Sequence, residues 1–298
     1  MEYIHYQELD KDSYIKSYDL SGVATSIKEI TYSNRSSANC LDIHLPLMGE
    51  KPYPVIVYIH GGGLMKGDKT RYDNVVFQGL RFGYAVVCIN YRLCKEAPYP
   101  AMLHDVSEAI RFLKTEAETY HLDRERLIVW GETHGAYLAC MLGVYGGTGK
   151  IDDPESRYPN ISSSVAGVID YWSFRSFPSS YQRALKEKET DPDHVIQEEL
   201  IFHKTGKQLE EEMVKYPSPV EGVNGKQPPF YILHSEIDLF IPREDSIELY
   251  NALTSAGSEA YLEIVPDTEH SLANYNYAWQ IEGTYRFIHK IFRQEETK

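Results

Sequence analysis

Positions 131–135 read Gly131-Glu132-Thr133-His134-Gly135, a hydroxyl side chain framed by glycines two residues away on either side. The apolar run 127–130 precedes it, and an apolar stretch of helical period follows over 136–145. A strand, a tight turn and a helix in that order force the central residue into a strained turn where only small neighbours avoid a clash. The turn also presents the hydroxyl at a helix N-terminus, whose dipole favours developing negative charge. These are the needs of a nucleophile. The pattern Gly-x-Thr-x-Gly arises often by chance, and its place between a strand and a helix is what gives it weight.

Three more features fall into line with it. His60-Gly61-Gly62-Gly63 directly follows the apolar run 54–59, and consecutive glycines expose backbone N–H groups of the kind an oxyanion requires. A phosphate cradle is the competing reading, but neither G-x-G-x-x-G nor G-K-[ST] follows. Asp238 sits on a loop after the strand-like segment 228–234, just before Pro242 and a helical stretch. His270 lies in Asp267-Thr268-Glu269-His270-Ser271, after the strand-like segment 261–265. Each residue alone is more often structural. Together, Thr133, Asp238 and His270 give the order nucleophile, acid, base. His270 would take the hydroxyl proton, while Asp238 fixes its tautomer and balances the imidazolium.

The threonine is the anomaly. A β-branched residue at positive φ is an outlier, and its methyl group restricts χ1 and crowds either His270 or the carbon under attack. Threonine nucleophiles usually rely on a terminal amine as base. A misplacement of about 1 Å can cost roughly 100-fold in rate. The expectation is a slowed or silent triad.

Strand-like and helix-like segments alternate from about residue 27 to the end, which predicts an α/β fold with a mostly parallel central sheet and helices on both faces. Segments 26–32 and 41–45 read as an antiparallel opening pair. The strands 54–59, 85–90, 127–130, 165–171, 230–234 and 261–265 follow, with helices over 101–120, 134–145, 243–255 and 278–292. The charged stretch 173–217 interrupts this rhythm with two short helices, 194–203 and 208–216. It reads as a small lid insertion over the site or, as the plainer alternative, a solvated excursion.

A chain of 298 residues with 42% hydrophobic content suits one large domain over 1–298, and no linker divides it. The formal charge of −14 argues against nucleic acid and anionic membrane surfaces as partners. No apolar run approaches the roughly 20 residues of a membrane span. Residues 1–12 are polar with no apolar export core, so a soluble cytoplasmic protein is the default expectation. Cys40, Cys88, Cys94 and Cys140 are scattered without a C-x-x-C pair, which suits a reducing compartment. A metal site from His60, His134 and His270 lacks ligand spacing, and no cofactor motif is present. Oligomeric state leaves no mark in the sequence.

Over about residues 25–292 the chain resembles the α/β-hydrolase esterases with a His-Gly-Gly-Gly motif, the hormone-sensitive-lipase-like group and the related acetyl-xylan and feruloyl esterases. The resemblance is carried by His60 to Gly63, by Asn90-Tyr91-Arg92-Leu93 with Ala97-Pro98-Tyr99-Pro100-Ala101 and Asp105, and by Gly131 to Gly135. Ser218-Pro219, the segment from His234 to Pro242, and His270 complete it. It implies hydrolysis of short-acyl carboxylic esters through an acyl-enzyme, with a small-molecule ester as partner and no cofactor. It places the oxyanion donors on the backbone N–H groups of Gly62, Gly63 and His134, and makes Tyr91-Arg92-Leu93 and Asp105 scaffold. Thr133 stands where the family has serine. Ser235 replaces the usual glycine and reads as tolerated, and His134 replaces a small residue, its imidazole read as packing rather than a substrate contact. Lid length, the aromatics Tyr171, Trp172, Phe174, Phe177 and Tyr181, and the short His-Gly-Gly-Gly loop hint at a modest acyl group on a larger alcohol. The alternative is a catalytically silent protein that binds a small apolar ligand on the same scaffold, against which the retained Asp238 and His270 speak.

Overall fold

Strands that are apolar on both faces can satisfy neither their side chains nor their amides except inside a covered sheet. In the computed structural model, which describes residues 23–70, 74–270 and 278–293, the chain builds one such sheet. Its strands are β1 (Val23–Thr31), β2 (Cys40–Pro46), β3 (Tyr53–Ile59), β4 (Ala85–Ile89), β5 (Leu122–Glu132), β6 (Gly167–Tyr171), β7 (Phe230–Ser235) and β8 (Ala260–Val265). They lie in the order β1-β2-β4-β3-β5-β6-β7-β8, antiparallel where β2 meets β1 and β4 and parallel elsewhere. This is the expected mostly parallel sheet with its antiparallel opening. The polar residues 1–12 lie outside the described residues.

The helices are α1 (Asn74–Phe77), α2 (Ala101–Thr115), α3 (His134–Tyr145), α4 (Phe177–Thr190), α5 (Gln197–Phe202), α6 (Gly206–Met213), α7 (Pro219–Gly222), α8 (Arg243–Ser255) and α9 (Ala278–Arg293). Successive side chains of a strand point to opposite faces, and β3 shows the consequence. Val55, Val57 and Ile59 belong to the core on the α2 and α3 side of the sheet, while Ile56 and Tyr58 belong to the core on the α1 and α9 side. Helix α3 is buried along its whole length after His134, as befits a helix wedged between the sheet and its neighbours. Helix α2 stops at Thr115 rather than at 120. The Thr115 hydroxyl donates to the Arg111 carbonyl at 2.8 Å, a local bond that competes with further helix.

The segment between β6 and β7 holds α4, α5, α6 and α7, where two short helices were expected. Of the two unforeseen ones, α7 is a single turn and α4 is the longer, missed because Phe177-Pro178-Ser179-Ser180 reads as loop. Pro178 sits in the first turn, where its missing N–H is harmless, and Ser176 caps the helix by accepting from the Ser179 N–H at 3.2 Å. Only Phe177 and Tyr181 of α4 are buried, so the apolar stripe that announces a helix is narrow.

One buried hydroxyl ties α9 to the short helix α1. The Tyr285 hydroxyl donates to the Val75 carbonyl at 2.6 Å and lies 3.0 Å from that of Val76. Tyr285→Phe removes this donor without changing shape, and urea denaturation should show a loss of about 1 kcal/mol with an unchanged slope.

Candidate active site

Strand β5 ends where α3 begins, and Thr133 is the single residue between them. Its backbone sits at φ 52°, ψ −118°, the strained turn expected of the motif. Close approach explains the glycine after it: a Cβ on Gly135 would stand 2.2 Å from the Ile59 carbonyl oxygen of β3. The Thr133 N–H donates to the Tyr171 carbonyl at 2.8 Å, so the sheet itself holds the turn.

The side chains that sequence order singled out meet here. Thr133 Oγ1 lies 3.0 Å from His270 Nε2, and His270 Nδ1 lies 2.6 Å from Asp238 Oδ2. The ionised carboxylate only accepts, which puts the ring proton of neutral His270 on Nδ1 and leaves Nε2 free to accept from the threonine hydroxyl. The acid loop is stitched to the histidine loop by two backbone bonds, Glu236 N–H to the Val265 carbonyl and Ile237 N–H to that of Thr268, each 2.9 Å.

Asp238 is heavily supplied with donors. Its side chain is 1% exposed, and Oδ1 accepts from the N–H groups of Phe240 and Ile241 at 2.9 Å each. Oδ2 lies 3.3 Å from His234 Nε2 as well as against His270. Burial alone would push this carboxyl up. Hydrogen bonds from His234, His270 and Ile241 outweigh it and hold the group well below the usual carboxylate range. His234 is fully buried; its Nε2–H also reaches the Ile241 carbonyl at 3.0 Å, and its Nδ1 accepts from Ser246 Oγ at 2.8 Å.

The glycine loop occupies the facing side of the same cleft. Gly62 has φ 103°, and a Cβ there would stand 2.2 Å from the Lys66 carbonyl oxygen, so no other residue fits this turn. The N–H groups of Gly62, Gly63 and His134 bond to no backbone acceptor among the described residues. With Thr133 and His270, these three residues line a cleft of about 610 Å³. His60 belongs to the scaffold: it stacks on Tyr91 at 4.4 Å and its Nδ1 lies 2.8 Å from the Gly61 carbonyl. No metal-holding group of three His, Cys, Asp or Glu side chains occurs among the described residues. Arg92 grips Asp105 through Nε at 2.9 Å and Nη2 at 2.7 Å, a bond between the loop after β4 and α2.

Two residues do more than their sequence reading allowed. Ser235, read as a tolerated departure from glycine, accepts from Trp172 Nε1–H at 2.8 Å and donates to the Glu269 carbonyl at 2.8 Å. It thereby fixes the residue preceding His270. His234 carried no signal at all, since a lone histidine at a strand end is most often core. Of the five aromatics offered as substrate-facing, Phe174 lines the cleft, while Tyr171, Phe177 and Tyr181 are buried in the core and Trp172 is buried against Ser235. The aromatic part of the hint about the substrate therefore rests on Phe174 alone.

The profile of the BD-FAE family matches residues 41–253, a span from β2 to α8 that contains the glycine loop, Thr133 and Asp238. The chain belongs to the BD-FAE family. Among curated relatives, Esterase LipQ of Mycobacterium tuberculosis is 23% identical over 255 residues, 83% of this chain and 58% of LipQ. The isoprenylcysteine alpha-carbonyl methylesterase ICME of Arabidopsis thaliana is 23% identical over 256 residues, 82% of this chain and 56% of ICME. This BD-FAE chain thus spans a little over half the length of those relatives. Among solved structures, a truncated form of a carbohydrate esterase from gut microbiota superposes with a TM-score of 0.80 at 24% identity, covering 92% of this chain and 98% of that one. The fold is the α/β-hydrolase fold of such esterases. No helix among the described residues is long and apolar enough to cross a membrane.

His134 gives the site a pH signature. Its ring packs against Phe174 with centroids 4.7 Å apart, its Nδ1 is buried and meets no partner among the described residues, and the residue lines the cleft. Burial first, and the nearby His270 second, push it down to about 3 from the ordinary 6.5. The unfolded chain therefore takes up this proton first as pH falls, so the stability contribution is whole above about 6.5 and is lost progressively toward 3. His134→Phe removes the titrating group while keeping a ring against Phe174. Denaturation curves between pH 6.5 and 4.5 should fall less steeply for the variant, by about 1–2 kcal/mol over that interval.

Proposed function

We propose that this chain hydrolyses carboxylic esters with short acyl groups through an acyl-enzyme on Thr133. The observation that carries the reading is the unbroken relay of 3.0 Å and 2.6 Å from Thr133 Oγ1 through His270 to Asp238, opening on the cleft that the glycine loop also lines. Its relatives' names, esterase and methylesterase, point the same way.

In this mechanism the threonine oxygen attacks the ester carbonyl carbon as its proton passes to His270 Nε2. The carbonyl oxygen becomes an oxyanion facing the N–H groups of Gly62, Gly63 and His134. Collapse of the tetrahedral adduct breaks the bond to the alkoxy oxygen, which leaves with the proton held by His270. Water then attacks the acyl-threonine by the same proton path and restores the hydroxyl. Asp238, held ionised, stabilises the imidazolium in both halves. Helices α4 and α5 supply one wall of the cleft through Arg183 and Gln197, which is the reading under which residues 173–217 act as a lid.

Threonine lowers the rate by placing a methyl group on the carbon that bears the attacking oxygen, not by breaking the relay. Hydrolysis of p-nitrophenyl acetate should therefore rise on the order of 100-fold in Thr133→Ser and vanish in Thr133→Ala. A folded Thr133→Ser protein no faster than the uncatalysed reaction would overturn this function and move the ligand-binding alternative to the front.

The link through Ser235 has its own consequence. Ser235→Ala releases the Glu269 carbonyl, and kcat should drop about tenfold with KM nearly unchanged, since only the base is displaced. Trp172→Phe cuts the same link at its other end. The double variant should lose little more than either single one, and a fully additive loss would mean that the two act separately.

A further inference from the structure

One wall of the cleft carries an acceptor that ester cleavage does not use. Glu198, the second residue of α5, is only 3% exposed, yet it lines the same cleft as Thr133, His134 and His270. Ser180 of α4 hydrogen-bonds its carboxylate, and its Oε2 atom is buried with no partner among the described residues. The preceding side chain fixes where α5 stands. Gln197 Oε1 lies 3.4 Å from the place a Cβ on Gly63 would occupy, so the start of α5 borders the glycine loop itself.

A buried acceptor without a donor is costly, and it is retained where a ligand supplies the missing hydrogen. The donor's charge can be argued from the surroundings. Lys66 and Arg183 line the same cleft, where Arg183 is paired with Asp245 at 3.1 Å and Glu187 lies 3.1 Å from His194. A cationic donor would meet the like charge of Lys66, whereas a neutral hydroxyl meets none. Burial also pushes the Glu198 carboxyl up, which weakens its hold on a cation.

We propose that Glu198 is a specificity-determining residue that accepts a hydrogen bond from an uncharged hydroxyl of the substrate and so selects hydroxyl-bearing esters over their deoxy counterparts. The proposal rests on the ester-hydrolase reading above but is tested without turnover. The probes are ketones in which a methylene replaces the ester oxygen: heptan-2-one against 7-hydroxyheptan-2-one, with the homologous pairs one carbon shorter and longer. A ketone has no leaving group and binds in either direction, so a hydroxyl on either arm of the substrate is read. Calorimetry on the unmodified protein should show one hydroxylated ketone bound roughly 10- to 100-fold more tightly than its deoxy partner. Glu198→Ala should erase that ratio, while Glu198→Gln, whose amide oxygen still accepts, should keep part of it and serves should the alanine variant not fold. Equal affinities for every pair, or a ratio that survives Glu198→Ala, overturns the proposal. Hydrolysis of butyl acetate and 4-hydroxybutyl acetate is measured alongside. Failure to cleave either one counts against the ester-hydrolase reading alone.

Discussion

The whole site hangs on one backbone turn. Thr133 is held at φ 52° because a sheet strand ends on one side of it and a buried helix begins on the other. A β-branched residue resists that conformation at a cost on the order of 1–3 kcal/mol, and it persists only where its surroundings over-determine it. They do so here. Helix α3 is apolar and buried throughout after its first residue, Gly135 lies against the β3 backbone, and the Thr133 amide is bonded to β6. Moving the threonine would mean moving α3 off the sheet.

The acid and base loops obey a second constraint, which is electrostatic. A carboxylate that is 1% exposed survives in its charged form only when donors replace the water it has lost. Asp238 has two backbone N–H groups on one oxygen and two imidazoles on the other. The second imidazole, that of His234, is itself pinned between Ser246 and the Ile241 carbonyl, so the charge is supported by a layer of buried hydrogen bonds beneath the site. Ser235 performs the matching task for the base, accepting a hydrogen bond from Trp172, the residue after β6, and donating its own to the loop before His270. Strand β7 therefore contributes side chains to both partners from two adjacent residues, His234 and Ser235.

What could be read in advance follows from which signals are local. Apolar runs announced the buried strands and the second part of β5, though not the polar, largely exposed β1, and α3 and α8 were legible to their terminal residues because their periodicity coincides with glycine, proline or polar boundaries. Thr133, Asp238 and His270 were legible because strand ends and chain order locate them. Helix α4 was not, since its Pro-Ser-Ser start mimics a loop and its buried stripe is two residues wide. Ser235, His234 and Glu198 were hidden for another reason. Each matters through a partner 12 or more residues away or on another element, and nothing in one sequence marks such a pairing. The aromatic residues after β6 misled because size and polarity alone do not say whether a ring fills the core or faces a ligand.

The threonine then has to be weighed against this support rather than in isolation. Its hydroxyl remains within hydrogen-bond distance of His270, so the added methyl group has not displaced the oxygen from the relay. What the methyl changes is the freedom of χ1: a serine hydroxyl can swing between the base and the incoming carbonyl carbon, whereas a β-branched side chain is confined to fewer rotamers. A relay that is intact at rest can therefore still be slow in attack, because attack needs the oxygen to leave its resting hydrogen bond along a path the methyl group narrows. In the ester-hydrolase mechanism proposed above, the surrounding donors, the ionised Asp238 and the clamped His270 loop would serve a reaction that only the side chain at 133 retards, which would place the slow step at the nucleophile and not in the scaffold.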